Sequence, residues 1–167
     1  MLLQKAQVSK GNGMATKHLR SVFDTNIYLS TILSKNAHSP SRELFARLQN
    51  QEFTLITCAQ ILEEVVEKLV AKKINPQLIL DFIADVIAHA QSINISGEII
   101  PPVIVDDPDD YIIVACALQG NAEMIVTYDR HFANLPLIYP HLQILTGLAF
   151  LQKVRISLNN NDHENRR

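Results

Sequence analysis

The sequence predicts an α/β fold in which helices cover both faces of a central parallel sheet. Short aliphatic segments of strand length alternate along the chain with longer segments whose apolar residues recur at helical spacing. Two strands separated by a helix need a crossover connection, which favours parallel pairing and a three-layer α/β/α sandwich. The length of 167 residues suits one such domain.

The first half of the chain contains two predicted strands, each followed by helices. A strand at 19–23 leads into a helix at 25–33, and Ser39-Pro40 opens a second helix that reaches about residue 50. After a strand at 53–57, two further helices are expected. In the first, apolar residues recur at helical spacing at Ile61, Leu62, Val65, Val66, Leu69 and Val70. In the second, the predicted buried side consists of Leu78, Ile79, Phe82, Ile83, Val86 and Ile87.

The second half of the chain continues the alternation after an irregular stretch. Two consecutive prolines break the segment 99–105, which leaves room only for a short strand there. The remaining predicted elements are a helix at 111–119, a strand at 124–127, a short strand at 142–145 and a helix at 147–154. Gly120 is a plausible left-handed stop for the first of these helices.

Polar segments flank the alternating region. The first 18 residues contain scattered lysines and glycines, and the last residues, from Ser157 on, are almost entirely polar. Such segments bury too little apolar surface to offset the entropy of ordering. We therefore expect a flexible tail at 1–18, a folded domain at 19–155 and a second flexible tail at 156–167.

Composition limits the classes of protein. A net charge of −2 argues against a protein that coats nucleic acid, but not against an enzyme that acts on it. The two cysteines, Cys58 and Cys116, lie in apolar segments, which indicates buried thiols in a reducing compartment. The longest apolar run, 111–118, is too short to cross a bilayer. We expect a cytoplasmic protein without a membrane partner.

Four acidic residues stand out by their context. Asp24 and Asp129 each follow a predicted strand, Asp110 precedes a helix, and Glu64 lies within one. Each also has a purely structural interpretation. Asp24 and Asp110 are suited to helix N-termini, Glu64 to an ion pair with Lys68, and Asp129 to a turn.

Taken together, the four carboxylates indicate a metal site. The carboxyl ends of parallel strands meet at one edge of a sheet, which would bring Asp24 and Asp129 together and face them towards Asp110. Two carboxylates about 4 Å apart repel by roughly 4 kcal/mol at an effective dielectric of 20, so the cluster needs protons or cations to compensate its charge. Oxygen ligands suit one or two Mg²⁺ or Mn²⁺ ions, which promote hydrolysis of phosphodiesters.

Four segments in order, VFDTN, ILEEV, DPDDYIIVACA and IVTYDRHF, resemble the PIN domain family, closest to the toxins of bacterial toxin–antitoxin pairs. The resemblance spans residues 19–152. It implies a Rossmann-like sheet and a metal-dependent endoribonuclease that leaves a 5′-phosphate and a 3′-hydroxyl. The catalytic and metal-binding residues that it implies are Asp24, Glu64, Asp110 and Asp129, with Glu63 less favoured than Glu64. It also implies that Asn26 and Thr127 line the pocket.

The same resemblance implies partners and leaves alternatives. It implies an RNA substrate, an antitoxin protein that inhibits the enzyme, and a homodimer or higher oligomer. A PIN-type nuclease for RNA processing, or an inactive PIN-like binding module, would share these motifs. An aspartyl-phosphate phosphatase is disfavoured, because Asn26 stands where that chemistry usually needs a second aspartate. We expect surface roles for His131 and for the acids Asp106, Asp107 and Asp109.

Overall fold

The computed structural model describes residues 18–97 and 108–164, and its strands form one five-stranded sheet. The strands are β1 (Arg20–Phe23), β2 (Thr54–Thr57), β3 (Gln91–Ser92), β4 (Met124–Val126) and β5 (Gln143–Leu145). Their order is β3-β2-β1-β4-β5, and every neighbouring pair is parallel. The predicted α/β class with a central parallel sheet is therefore confirmed.

Both faces of the sheet are buried under helices. Successive strand residues point to opposite faces, and Val22 and Phe23 in β1 are both fully buried, as are Ile125 and Val126 in β4. The helices are α1 (Thr25–Leu33), α2 (Pro40–Gln49), α3 (Ala59–Ala71), α4 (Pro76–His89), α5 (Pro108–Gln119) and α6 (Gly147–Glu164). These elements form the expected helix, sheet and helix layers.

Aromatic rings pack one layer of helices onto the sheet. The ring of Phe23 lies 5.7 Å from that of Phe150 on α6 and 5.8 Å from that of Phe53, centroid to centroid. Phe53 and Phe150 meet edge to face at 5.1 Å. Such pairs add roughly 0.5–1.5 kcal/mol each beyond the area they bury. They hold β1, and so the residue that follows it, in a rigid setting.

Helix α5 runs opposite to the strands that it covers. Its C-terminal end lies at the amino end of the sheet, where Arg20 at the start of β1 donates to the carbonyl oxygens of Gly120 (2.8 Å) and Asn121 (3.3 Å). The first turn of α5 therefore lies at the carboxyl edge of the sheet. This direction brings Asp110 to the edge at which β1 and β4 end.

The end of α5 differs from its predicted form. Gly120 has no positive φ; the left-handed residue is Asn121, with a φ of 52°. Gly120 instead allows close packing, because a Cβ there would lie 2.5 Å from Cγ2 of Ile56 in β2. The helix ends where the sequence predicts. Gly120, however, allows the helix to pack closely on the sheet, and it is Asn121 that adopts the left-handed conformation.

Other elements depart from their predicted extent. The edge strand β3 was not predicted, and the segment 99–105, where a short strand was expected, lies outside the described residues. A 3₁₀ helix at Arg130–Leu137 follows β4. Helix α6 continues past 154 to Glu164, into the segment that was expected to be a tail. In α4, Leu78 and Ile87 are exposed rather than buried.

Within the described residues, no helix is both long enough and apolar enough to cross a bilayer.

Candidate active site

A pocket of about 160 Å³ opens at the carboxyl edge of the sheet. It lies where β1 and β4 end, which is the point at which the strand order changes direction and where ligands bind in open parallel sheets. The residues that line it are Asp24, Thr25, Asn26, Leu29, Glu64, Lys68, Asp110 and Asp129. The four carboxylates predicted from the sequence thus lie around one space.

Asp24 is the most deeply placed of the four acids, with 7% of its surface exposed. Its backbone occupies the N-cap position of α1, but its side chain makes no capping hydrogen bond. Oδ2 instead accepts hydrogen bonds from Nδ2 of Asn26 (2.7 Å) and Oγ1 of Thr127 (2.6 Å). The purely structural interpretation of Asp24 as a helix cap is therefore wrong.

Asn26 and Thr127 connect the ends of the two central strands. The amide oxygen of Asn26 accepts a hydrogen bond from the backbone N–H of Tyr128 (3.4 Å), and Oγ1 of Thr127 accepts one from the N–H of Asp129 (2.9 Å). Asn26 lines the pocket as expected, whereas Thr127 lies buried behind Asp24. The two residues fix the direction of the Asp24 carboxylate.

Glu64 reaches the pocket from the second turn of α3. Its Oε1 accepts a hydrogen bond from Oγ1 of Thr25 (3.2 Å) and a short one from the ammonium of Lys68. The side chain is 17% exposed, whereas the neighbouring Glu63 is exposed and is not among the lining residues. The structural interpretation of Glu64 as a partner of Lys68 is correct, but the pair is part of the pocket.

Asp110 and Asp129 face each other beside His131. Nδ1 of His131 lies 3.4 Å from Oδ1 of Asp129 and 3.7 Å from Oδ2 of Asp110. Oδ1 of Asp129 also accepts the backbone N–H of His131 (2.9 Å) and so caps the 3₁₀ helix. Asp129 is therefore both the turn residue of the structural interpretation and one of the carboxylates that line the pocket. The ring of His131 is exposed, but it stands at the site rather than away from it.

The side chains of Asp110, Asp129 and His131 are arranged so that they could bind a divalent cation together. One ligand atom each from Asp110, Asp129 and His131 lies within 4.8 Å of the other two, close to the ~4 Å between opposite ligands of an ion with ~2.1 Å bonds. Four carboxylates and one ammonium line the pocket, so its charge is negative. A cation placed among them would relieve the repulsion of about 4 kcal/mol for each pair of charges 4 Å apart.

Sequence reasoning missed two residues that line this pocket, Thr25 and Leu29. The i+4 spacing of Lys68 from Glu64 did indicate their ion pair, and that pair lines the pocket. Asp106 and Asp107 lie outside the described residues, as does the side chain of Asp109, so the expectation of surface roles for these three acids remains a prediction.

The fold and the pocket define the class: a parallel α/β domain with a cluster of carboxylates at its topological switch point. Residues 20–131 match the PIN domain family, and the chain belongs to that family. PIN domains are generally nucleases.

The fold also resembles a solved structure, a chain of VapBC2 from Rickettsia felis bound to a DNA fragment from their promoter. The TM-score is 0.51 at 18% sequence identity, over 77% of this chain and 98% of that one. At this identity the likeness concerns the fold. Among curated protein sequences, none matches the chain.

Proposed function

We propose that the protein is a metal-dependent endoribonuclease that hydrolyses RNA phosphodiester bonds, leaving a 5′-phosphate and a 3′-hydroxyl. One observation carries the proposal: Asp24, Glu64, Asp110 and Asp129, from separate segments of the chain, line the same pocket. Membership of a family that consists generally of nucleases supports it. The presence of all four carboxylates argues against an inactive binding module.

The pocket residues have the chemistry that Mg²⁺ or Mn²⁺ needs. Asp24, Glu64, Asp110 and Asp129 would hold one or two ions through hard oxygen ligands. When bound, such an ion supplies Lewis-acid stabilisation of a phosphodiester and lowers the pKa of water. Asn26 and Thr127 would act through Asp24, because their hydrogen bonds fix its carboxylate.

Water is the nucleophile in this proposal. The hydroxyl oxygen of Thr25 lies 3.3 Å from Oδ1 of Asp24 and 3.2 Å from Oε1 of Glu64, so its single proton is directed to these acids rather than to a substrate. The negative pocket would repel an RNA phosphate on its own. Cleavage should therefore depend strictly on added divalent metal, and a chelator should abolish it.

Substitution of the acids tests the proposal. Asp24→Asn and Asp110→Asn keep the shape of the side chain but remove a charge that would bind metal. With Mg²⁺ or Mn²⁺ present, we expect the rate of RNA cleavage to fall by about 100-fold or more. A bound metal stabilises the transition state by several kcal/mol, and each ~1.36 kcal/mol changes the rate tenfold. The matched control is Glu63→Gln, one residue from Glu64 and exposed, which should leave cleavage unchanged. Full activity in purified Asp24→Asn protein would contradict the assignment.

We further propose that the enzyme is the toxin of a toxin–antitoxin pair acting on cytoplasmic RNA, with an antitoxin protein as its inhibitor. The fold likeness to a chain of VapBC2 supports this choice over an RNA-processing nuclease. Expression of the chain alone should arrest bacterial growth, and Asp24→Asn should relieve the arrest. Arrest that persists in Asp24→Asn would contradict a toxin whose chemistry lies in this pocket.

A homodimer or higher oligomer is also part of the proposal. Several large apolar side chains on α3 and α4 are exposed, among them Val70, Leu80 and Ile87. Such exposure is common at subunit interfaces. The mass of the particle in sedimentation velocity distinguishes an oligomer from a monomer.

A further inference from the structure

Lys68 contributes an ammonium to a pocket that is otherwise lined by carboxylates and neutral side chains. It lies one helical turn after Glu64 on α3, and its Nζ donates to Oε1 of Glu64 in a close ion pair. The same Nζ lies 3.5 Å from Oγ1 of Thr25, which in turn donates to Oε1 of Glu64 (3.2 Å). The ammonium therefore sits against one of the proposed ligand oxygens.

In an ordinary ion pair at i,i+4 spacing on a helix surface, both side chains would be exposed to solvent. Here Glu64 is 17% exposed and faces three other carboxylates, while Lys68 is 45% exposed. In the protein without metal, the ammonium offsets part of the negative charge of the pocket. A divalent cation that binds Glu64 must work against this positive charge, because the two cations repel each other strongly at a few ångströms.

We propose that Lys68 is an internal competitor of the divalent cation for Glu64, and that it sets the metal concentration at which the pocket fills. This rests on the proposed function only in requiring that the pocket bind a divalent cation. Lys68 is a positioning residue in this account. It holds Glu64 in the metal-free protein and yields that oxygen when the cation enters.

Calorimetric titration of Mn²⁺ into the full-length protein tests the proposal. Lys68→Met removes the charge and keeps the length of the chain, and we expect the Kd for Mn²⁺ to fall about tenfold. Lys68→Arg keeps the charge and should bind Mn²⁺ within about twofold of the wild type. Lys72→Met removes a lysine one turn after Lys68, at the C-cap of α3. Lys72 is exposed and is not among the lining residues, so this change should have little effect.

Thermal unfolding gives a second readout that does not depend on activity. Without metal, Lys68→Met should unfold at a lower temperature than the wild type, because the carboxylates lose their internal counter-charge. Added Mn²⁺ should then raise its Tm more than that of the wild type, because tighter binding stabilises the folded state more.

The outcomes separate the two proposals. If the wild type binds Mn²⁺ and the Kd of Lys68→Met is unchanged or higher, the proposed role of Lys68 is overturned while the metal site stands. An equal fall in Kd for Lys72→Met would reduce the effect to general surface charge and would also overturn it. A wild type that binds no Mn²⁺ contradicts the metal site itself, and with it the proposed function.

Discussion

The role of Asp24 cannot be predicted from its residue type and its position in the sequence alone. An aspartate between a strand and a helix is the usual signature of an N-cap. The backbone does adopt the N-cap position, yet the carboxylate turns to Asn26 and Thr127 instead of the helix amides. The sequence predicts the position of the residue along the chain. The direction of its side chain depends on one donor two residues away, Asn26, and on another 103 positions away, Thr127.

Thr127 gives the residue-scale prediction. Its hydroxyl donates to Oδ2 of Asp24 and accepts the backbone N–H of Asp129, so one atom orients two of the proposed ligands. Thr127→Val keeps the branched shape and removes that atom. We expect RNA cleavage and Mn²⁺ affinity each to fall by about 10- to 100-fold, the usual effect of losing a group that orients a metal ligand.

The control for this variant is Thr54→Val, at the start of β2 and so at the opposite edge of the sheet. It should leave cleavage and Mn²⁺ affinity near the wild-type values. Wild-type kcat and Mn²⁺ affinity in Thr127→Val would show that Asp24 does not need this support.

At the scale of the element, the sequence predicts the strands that have an apolar pattern and misses the strand that lacks one. The strands β1, β2 and β4 contain buried aliphatic residues and β5 contains half-buried ones, and each strand was predicted within a residue or two. The strand β3 is Gln91–Ser92, two exposed polar residues whose pairing with Ile56 and Thr57 carries no periodic signal. Tertiary pairing alone defines this strand.

Helix α4 shows the opposite failure. Its apolar residues lie at helical spacing, and this correctly predicts a helix. The same spacing predicted a buried face that is too wide, because Leu78 and Ile87 are exposed while Ile79 and Val86 are buried. Periodicity gives the direction of a helix face, but the width of the face depends on which neighbours pack against it.

The junction between α2 and α6 gives the element-scale prediction. Arg155 donates to both carboxylate oxygens of Glu43, at 3.0 and 2.5 Å, and Arg47 lies 2.9 Å from one of them. Hydrogen bonding by Arg155, assisted by Arg47, lowers the pKa of Glu43 below its ordinary value of 4.5. Glu43→Gln should lower the free energy of unfolding at pH 7 by about 0.5–1 kcal/mol, since these groups are partly solvated.

The pH dependence of this difference follows from the direction of the shift. A carboxylate whose pKa is lowered on folding stabilises the protein above its unfolded pKa, and this contribution disappears as the pH falls through the folded pKa. The gap between wild type and Glu43→Gln in urea unfolding should therefore be constant above about pH 5 and shrink below pH 4.5. Glu67→Gln, an exposed residue on α3, is the control. A gap that is absent at pH 7, or that grows in acid, would contradict the role of the junction.

At the scale of the whole molecule, strand order creates the pocket. Because β1 lies between β2 and β4, the chain segments that follow the two central strands meet at the carboxyl edge. Thr127 and Asp24 are in direct contact, although 103 positions separate them. The sequence predicts that strand ends bearing acids share an edge, since all parallel strands point the same way. It does not predict which strands are neighbours, so the place of the Glu64–Lys68 pair and of His131 at the pocket comes from the fold.

The same strand order explains how an acidic protein could act on RNA. The net charge is −2, and four of its carboxylates line one pocket. A divalent cation held there would reverse the local field without changing the rest of the surface. Activity on RNA therefore requires that these carboxylates share a cation.

Crystals grown with MnCl₂ and measured at the manganese absorption edge test that claim most directly. We expect an anomalous difference peak inside the pocket, with oxygens of Asp24, Asp110 and Asp129 directly bound or joined to it through one water. Direct bonds should be about 2.1 Å long. A pocket without such a peak, or carboxylates of Asp24 and Asp129 too far apart to reach one ion, would contradict the account.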